Sequence, residues 1–402
     1  MSFLLQIKRN TLSNIQKYVG KIGELVYSID TFQLFVMDGE TAGGKLIGTL
    51  NDYAPDKFMV ANTANGHVHL KIKAGTMLKL TDATFYVVGT DYDFVATANL
   101  DTGATLTAGK DYYVYLVAGS DNVGKIVVSA SADAPSGYTT YRKIGGFHTL
   151  CVDAGTITGH PLSGYTAGQI LPNSVWCLNH RPSCESADGM VYDPVSDVWV
   201  DIYNMSTTGE SKYGAARAHT MMHYQFSELA RAWGKTLLMD EEFYTASKGS
   251  NQKTAVAGSA QPNPDTTGGR KDTAGRRMIS WIGCEEMCGL QWQHLAEPSA
   301  AGGSNWNTQN GDEGSFYGSY MIRLAGGNWG HSSYCGSRCR IANNSLSNTN
   351  ANNGARGRIR AESKPWKTRL KYPSMLALAS KTRKRCKIRA SSQKSESPDS
   401  DY

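Results

Sequence analysis

Four cysteines and a run of asparagines are the residues of this 402-residue chain whose types and spacing suggest chemistry. Cys284 and Cys288, and Cys335 and Cys339, form two C-x3-C pairs within one stretch. Four thiolates could converge on one zinc ion in the tetrahedral geometry that zinc takes. The spacing is one residue longer than the commonest knuckle, so free or buried thiols are the expectation, and no metal or other cofactor is assigned. Between Asn343 and Asn353 six of eleven residues are asparagine. The asparagine amide competes for backbone hydrogen bonds, so a core does not select many side by side. A surface that must hydrogen-bond a partner can, because each carboxamide offers two donors and an acceptor.

Other signatures fail. Gly234-Lys235-Thr236 has the ending of a phosphate-binding loop, but Leu229 occupies the required earlier glycine position and the segment follows a helical pattern instead of a strand. No Gly-x-Ser-x-Gly elbow or His-Glu-x-x-His helix is present. His223 and His294 lie near aromatics and are read as packing or surface residues.

The elements that must carry these residues are mostly strands. Gly 42 and Tyr 21 favour turn-rich β structure, and the length suggests more than one domain. Leu34 to Met37, followed by Asp38-Gly39 and Gly43-Gly44, predicts strand, tight turn, strand. Val68, Leu70 and Ile72 alternate with polar residues, and further strands are predicted at residues 85–88, 112–117 and 126–128. These imply antiparallel sheets at the spacing of a β sandwich. Phe226, Leu229, Ala230 and Trp233 recur at helical spacing before Gly234, and Asp240 is expected to cap a second helix. Long loops are expected at residues 248–275 and 298–315. The Asn-rich stretch itself is expected to be a loop pinned at both ends.

The net charge of +6 belongs to the end of the chain: residues 362–402 carry a net +7, so the remainder is close to neutral at −1. That balance argues against a folded nucleic-acid-binding patch. The tail is expected to be solvated and disordered with one helical turn at residues 375–379, leaving nucleic-acid contact by the tail open. No apolar run approaches a membrane span, so no membrane insertion is expected; the opening residues lack a signal peptide, which implies folding in the cytoplasm with reduced thiols.

Several motifs in order resemble the major tropism determinant family, receptor-binding tail proteins of phages whose genes are diversified by a retroelement. They are Asp38-Gly39-Glu40-Thr41-Ala42-Gly43-Gly44, Arg142-Lys143-Ile144-Gly145-Gly146-Phe147-His148, Trp199-Val200-Asp201-Ile202-Tyr203 with Ser211-Lys212-Tyr213, and the stretch from Gly326-Gly327-Asn328-Trp329 to Gly354-Ala355-Arg356-Gly357. The resemblance implies a β-rich multidomain chain: an N-terminal β-prism at 1–50 for trimerisation or attachment, a β-sandwich at 51–165, and an α+β C-type lectin domain of the formylglycine-generating-enzyme type at 166–361. A basic tail follows at 362–402, and three copies would assemble as an intertwined homotrimer. The variable positions of the family fall here on Asn328, Gly330, His331, Ser332, Tyr334, Ile341, Asn343, Asn344, Asn348, Asn350, Asn352 and Asn353. Gly326, Gly327, Trp329, Gly336, Ser337, Arg338, Gly354 and Arg356 would be scaffold.

The implied function is a non-enzymatic adhesin at a virion tail tip, with a host cell-surface protein or glycan and other tail proteins as partners. Two alternatives compete. The same fold includes formylglycine-generating oxidases, for which Cys335 and Cys339 are the only candidate thiols and Arg338 and Arg340 would supply the positive setting. A purely structural tail or baseplate component is the other.

Overall fold

A computed structural model describes residues 8–29, 33–49, 52, 54–81, 85–119, 124–308 and 315–362. Beyond Glu362 the basic tail, with the helical turn expected at residues 375–379, lies outside them.

Residues 8–49 build a small four-stranded sheet in the order β1 (Lys8–Asn10), β2 (Leu25–Ser28), β3 (Gln33–Val36), β4 (Lys45–Thr49), with a one-turn helix α1 (Leu12–Ile15) after β1. The predicted strand, turn, strand is the antiparallel β3–β4 pair. Asp38 makes the turn between them: its Oδ1 accepts the backbone N–H groups of Glu40 and Thr41 at 3.1 and 2.7 Å. Ile15, Val26, Phe35 and Met37 close a small core.

The next strands are β5 (Met59–Ala61), β6 (His69–Ile72), β7 (Thr76–Lys79), β8 (Phe85–Val88), β9 (Tyr92–Val95), β10 (Asp111–Ala118), β11 (Gly124–Ser129), β12 (Tyr141–His148) and β13 (Trp176–Cys177). The alternation at residues 68–72 is realised in β6, where Leu70 and Ile72 are buried and His69 and Lys71 are not. β10 is buried on both faces: Tyr112, Val114 and Leu116 enter one core with Phe58 and Phe147, while Tyr113, Tyr115 and Val117 enter a second with Trp176 and Trp199. The sheet β11-β10-β12-β13 therefore continues past residue 165, because Trp176 and Cys177 pair with Gly146 and Gly145.

The remaining elements are β14 (Met190–Asp193), β15 (Val198–Asp201), α2 (His223–Ala232), β16 (Thr236–Leu237), α3 (Asp240–Ala246), β17 (Trp292–Thr308), β18 (Ser315–Gly326), β19 (Gly336–Ser345), β20 (Asn353–Gly354) and β21 (Gly357–Arg360). They form two sheets, β14-β15-β21-β16 and β19-β18-β17-β20. α2 buries Phe226 and Ala230 as its spacing predicts, and Gly234, at φ +68°, ends it in the left-handed conformation.

Three expectations change. Asp240 is the first residue of α3 and not its cap; Glu242 reaches back to accept the Met239 N–H at 2.8 Å, which frees the Asp240 carboxylate for Arg323 and Arg340. Residues 298–308 and 315 onward are strand, because the β17–β18 pairing carries backbone hydrogen bonds through a Gly- and Ser-rich sequence, interrupted by bulges. Asn343 and Asn344 lie on β19, so the Asn-rich stretch is half strand, with Ile322 opposite Asn344.

Candidate ligand-binding face

Ile341, Asn343 and Asn344 lie on β19, and the other nine of the twelve candidate positions lie on two segments that converge on Trp292 at the start of β17. The first runs from Asn328 to Cys335. Gly326 and Gly327 enter it at φ +95° and +87°, and a Cβ on Gly327 would lie 2.6 Å from the Cys335 sulfur, so the approach of the two strands requires glycine. Asn328 is buried; its Oδ1 accepts the Gly330 N–H at 2.9 Å. Ser332–Tyr334 then form a single 3-10 turn. The buried Cys335 thiol donates to the Asn328 and His331 carbonyls at 3.3 and 3.2 Å, closing the loop on itself.

The second segment leaves β19 at Ser345 and returns at β20. The Trp292 backbone N–H donates to the Asn352 carbonyl at 2.9 Å, and its indole N–H donates to His331 Nδ1 at 3.2 Å, so one buried residue holds one segment by its main chain and the other by its side chain. Ile341 packs into the cluster of Trp292, Ile322 and Leu324. Gln291 donates to the carbonyl of Asn353 at 3.0 Å. The backbone N–H groups of Thr220 and His223 donate to the Asn350 and Leu346 carbonyls at 3.3 Å each, tying the turn to the start of α2.

Gly330, His331, Ser332, Tyr334, Asn343 and Asn350 are exposed, Tyr334 by 69%; Ile341, Asn344, Asn348 and Asn352 are half-buried. Asn328 and Asn353 depart from the expectation of a contact surface: both are buried, and they build the face from below. The asparagines also hydrogen-bond each other. Asn348 Nδ2 donates to Asn344 Oδ1 at 3.0 Å, and Asn348 Oδ1 accepts from the Asn350 N–H and from Asn353 Nδ2, both at 3.2 Å. The carboxamides thus pre-shape a turn that other side chains would leave unsatisfied.

Beneath the face lies Arg356, fully buried. It donates to the carbonyls of Asp201, Ile202 and Glu285 and to Asn204 Oδ1 and Gln293 Oε1, joining the strand after the Asn-rich turn to the β15 end and to residue 285. Sequence reasoning placed Arg356 in the scaffold but missed Trp292 and Gln291. The only signal for them was their position, two and one residues after Cys288-Gly289-Leu290 in a dense apolar run.

The family model for the Mtd second domain matches residues 60–177, the span that ends on β13. The tail fiber receptor-binding protein of Bordetella phage BPP-1 is 30% identical over 390 residues, covering 89% of this chain and 98% of that protein. The chain belongs to the major tropism determinant family. Solved structures agree: the M1 variant of Major Tropism Determinant superposes at a TM-score of 0.68 and the U1 variant at 0.67, each 27% identical, covering 89% of this chain and 100% and 99% of theirs.

Within this tropism-determinant scaffold the cysteines are not arranged for thiolate chemistry. Burial, with Cys339 adding to it, pushes the Cys335 thiol up to about 12, so it is a neutral donor at neutral pH. Burial also raises Cys339, against a smaller opposing pull from Arg340. The positive setting expected from the arginines is directed elsewhere: Arg340 pairs with Asp240, and Arg338 donates to the Tyr244 hydroxyl at 2.9 Å. The relatives are receptor-binding tail proteins, not enzymes. Among the described residues no group of three or more His, Cys, Asp or Glu is placed to hold a metal, and no helix is long and apolar enough to cross a membrane.

Proposed function

We propose that this chain is a tail-tip adhesin that binds a host surface molecule through the face built on Trp292. What carries the reading is the convergence of residues 328–335 and 343–352 on one buried anchor, which puts Tyr334, His331, Ser332, Asn343 and Asn350 on a common exposed surface. Tyrosine and histidine supply contact area at modest entropy cost, and asparagine and serine supply adaptable hydrogen bonds, the composition of a paratope. The family supports placement on the virion tail, and the proposal adds other tail proteins as neighbours and assembly in the host cytoplasm.

The finer architecture is part of the same proposal. In this reading residues 1–50 are a β-prism, 51–165 a β-sandwich and 166–361 a C-type lectin domain, with three copies intertwined so that several weak sites act together. A retroelement rewrites the twelve candidate positions. Sequencing the gene's 3′ region across sibling particles tests it: substitutions confined to the twelve positions and traceable to adenines of a template copy support the reading, and a uniform segment with no template sinks it.

A further inference from the structure

Next to the variable face lies a row of exposed residues that the family resemblance does not assign to it. Tyr244 of α3 is 42% exposed and Trp281 is 37% exposed. The Arg338 guanidinium lies 5.4 Å from the Tyr244 ring centre and the Lys248 ammonium 4.6 Å from that of Trp281. Lys253, also exposed, is held by its N–H donating to the Cys335 carbonyl at 2.7 Å, and Gln252 Nε2 donates to the Ser337 hydroxyl at 3.2 Å. Those two bonds make the row continuous with Tyr334 on the variable loop.

The charges are uncompensated. Among the described residues none of Lys248, Lys253 and Arg338 pairs with a carboxylate. Of the nearby acids, Asp240 holds Arg323 and Arg340 and Glu242 holds Arg358; Glu241 and Glu297, which line one cavity with Arg338, have no cation partner among the described residues, and Glu297 accepts the Asp240 N–H at 2.6 Å. Three cations without a carboxylate partner against these two acids leave the row a net-positive shelf.

We propose that this shelf of Lys248, Lys253, Arg338, Tyr244, Trp281 and Tyr334 docks an acidic, carboxylate-rich protein surface of the receptor. The inference rests on the receptor-binding reading and names the chemistry of the partner. Tyrosine, tryptophan and arginine are the residues that carry protein–protein hot spots. A cation lies over one face of each of the Tyr244 and Trp281 rings, so at least one face of each is taken from a sugar that would stack there. The shelf steers encounter, and the variable face beside it selects.

The test measures association of the full chain with immobilised poly-L-glutamate and, separately, with alginate, at low and physiological ionic strength. The triple variant K248Q/K253Q/R338Q keeps the basic tail, so tail binding is common to both proteins. The expected result is association with poly-L-glutamate slowed about tenfold in the variant, with the difference shrinking as salt rises and melting unchanged. Equal association by parent and variant overturns the shelf, and so does a shelf-dependent preference for alginate. Competition of the parent protein with particles for host cells is read alongside. Failure there overturns the receptor reading, whatever the shelf does.

Discussion

Replacing Arg356 with methionine should unfold the protein's last region far more than any surface change. The guanidinium donates to three backbone carbonyls and two side-chain amide oxygens, at 2.5 to 3.3 Å, and it is fully buried. Methionine fills most of the volume but donates nothing, so the carbonyls of Asp201, Ile202 and Glu285 are left without this partner. An orphaned buried acceptor costs about 1–3 kcal/mol, and relaxation lets some of the five find substitutes, so the net loss should be about 3–5 kcal/mol. For a unit of 150–250 residues that lowers Tm by roughly 6–20 °C. Arg356→Lys should recover only part, because one ammonium has three donors without the planar fork that reaches all sides. Calorimetry on the full chain, with urea titration to give the free energy directly, measures both variants. A Tm within about 2 °C of the parent for Arg356→Met would refute the claim that this one side chain ties residues 201–204 and 285 to the return of the Asn-rich turn.

Tyr334→Ala should leave Tm unchanged within about 1 °C, since the side chain is mostly in water, yet reduce competition for host adsorption by about tenfold or more; equal competition would remove Tyr334 from the contact surface. Trp292→Ala should cost about 3–5 kcal/mol by urea denaturation and weaken adsorption too, because His331 loses its indole donor and Ile341 and Leu346 lose packing, while the backbone bond to Asn352 survives; a variant with full stability would contradict its role. His294 supplies a pH prediction. Burial first, and then the neighbouring His223, push it down to about 3, and neither ring nitrogen has a partner. The unfolded chain takes up its proton near pH 6.5 while the folded chain does not, so stability falls with acidification from about 6.5 toward 3, by up to about 1.4 kcal/mol per pH unit. His294→Phe should flatten that slope when urea midpoints are compared at pH 7 and pH 5; an unchanged slope would show that His294 is not its source.

The sequence by itself determined the local elements. Alternation marked β6, helical spacing and a glycine marked α2, and Asp38-Gly39 marked the β3–β4 turn, because each depends on neighbours only a few residues apart. It also singled out the asparagines and, through motifs in order, the family. Tertiary structure decided what each candidate does. Asn328 and Asn353 are buried under the face they were expected to form, Asp240 trades capping for two arginines, and Cys335 is a neutral pin inside a loop. Trp292 gathers segments that lie some forty to sixty residues away in sequence, and Arg356 reaches carbonyls more than 150 residues away. No local pattern encodes such partners, since burial and hydrogen-bond satisfaction are set by chain segments that meet only when the sheets close.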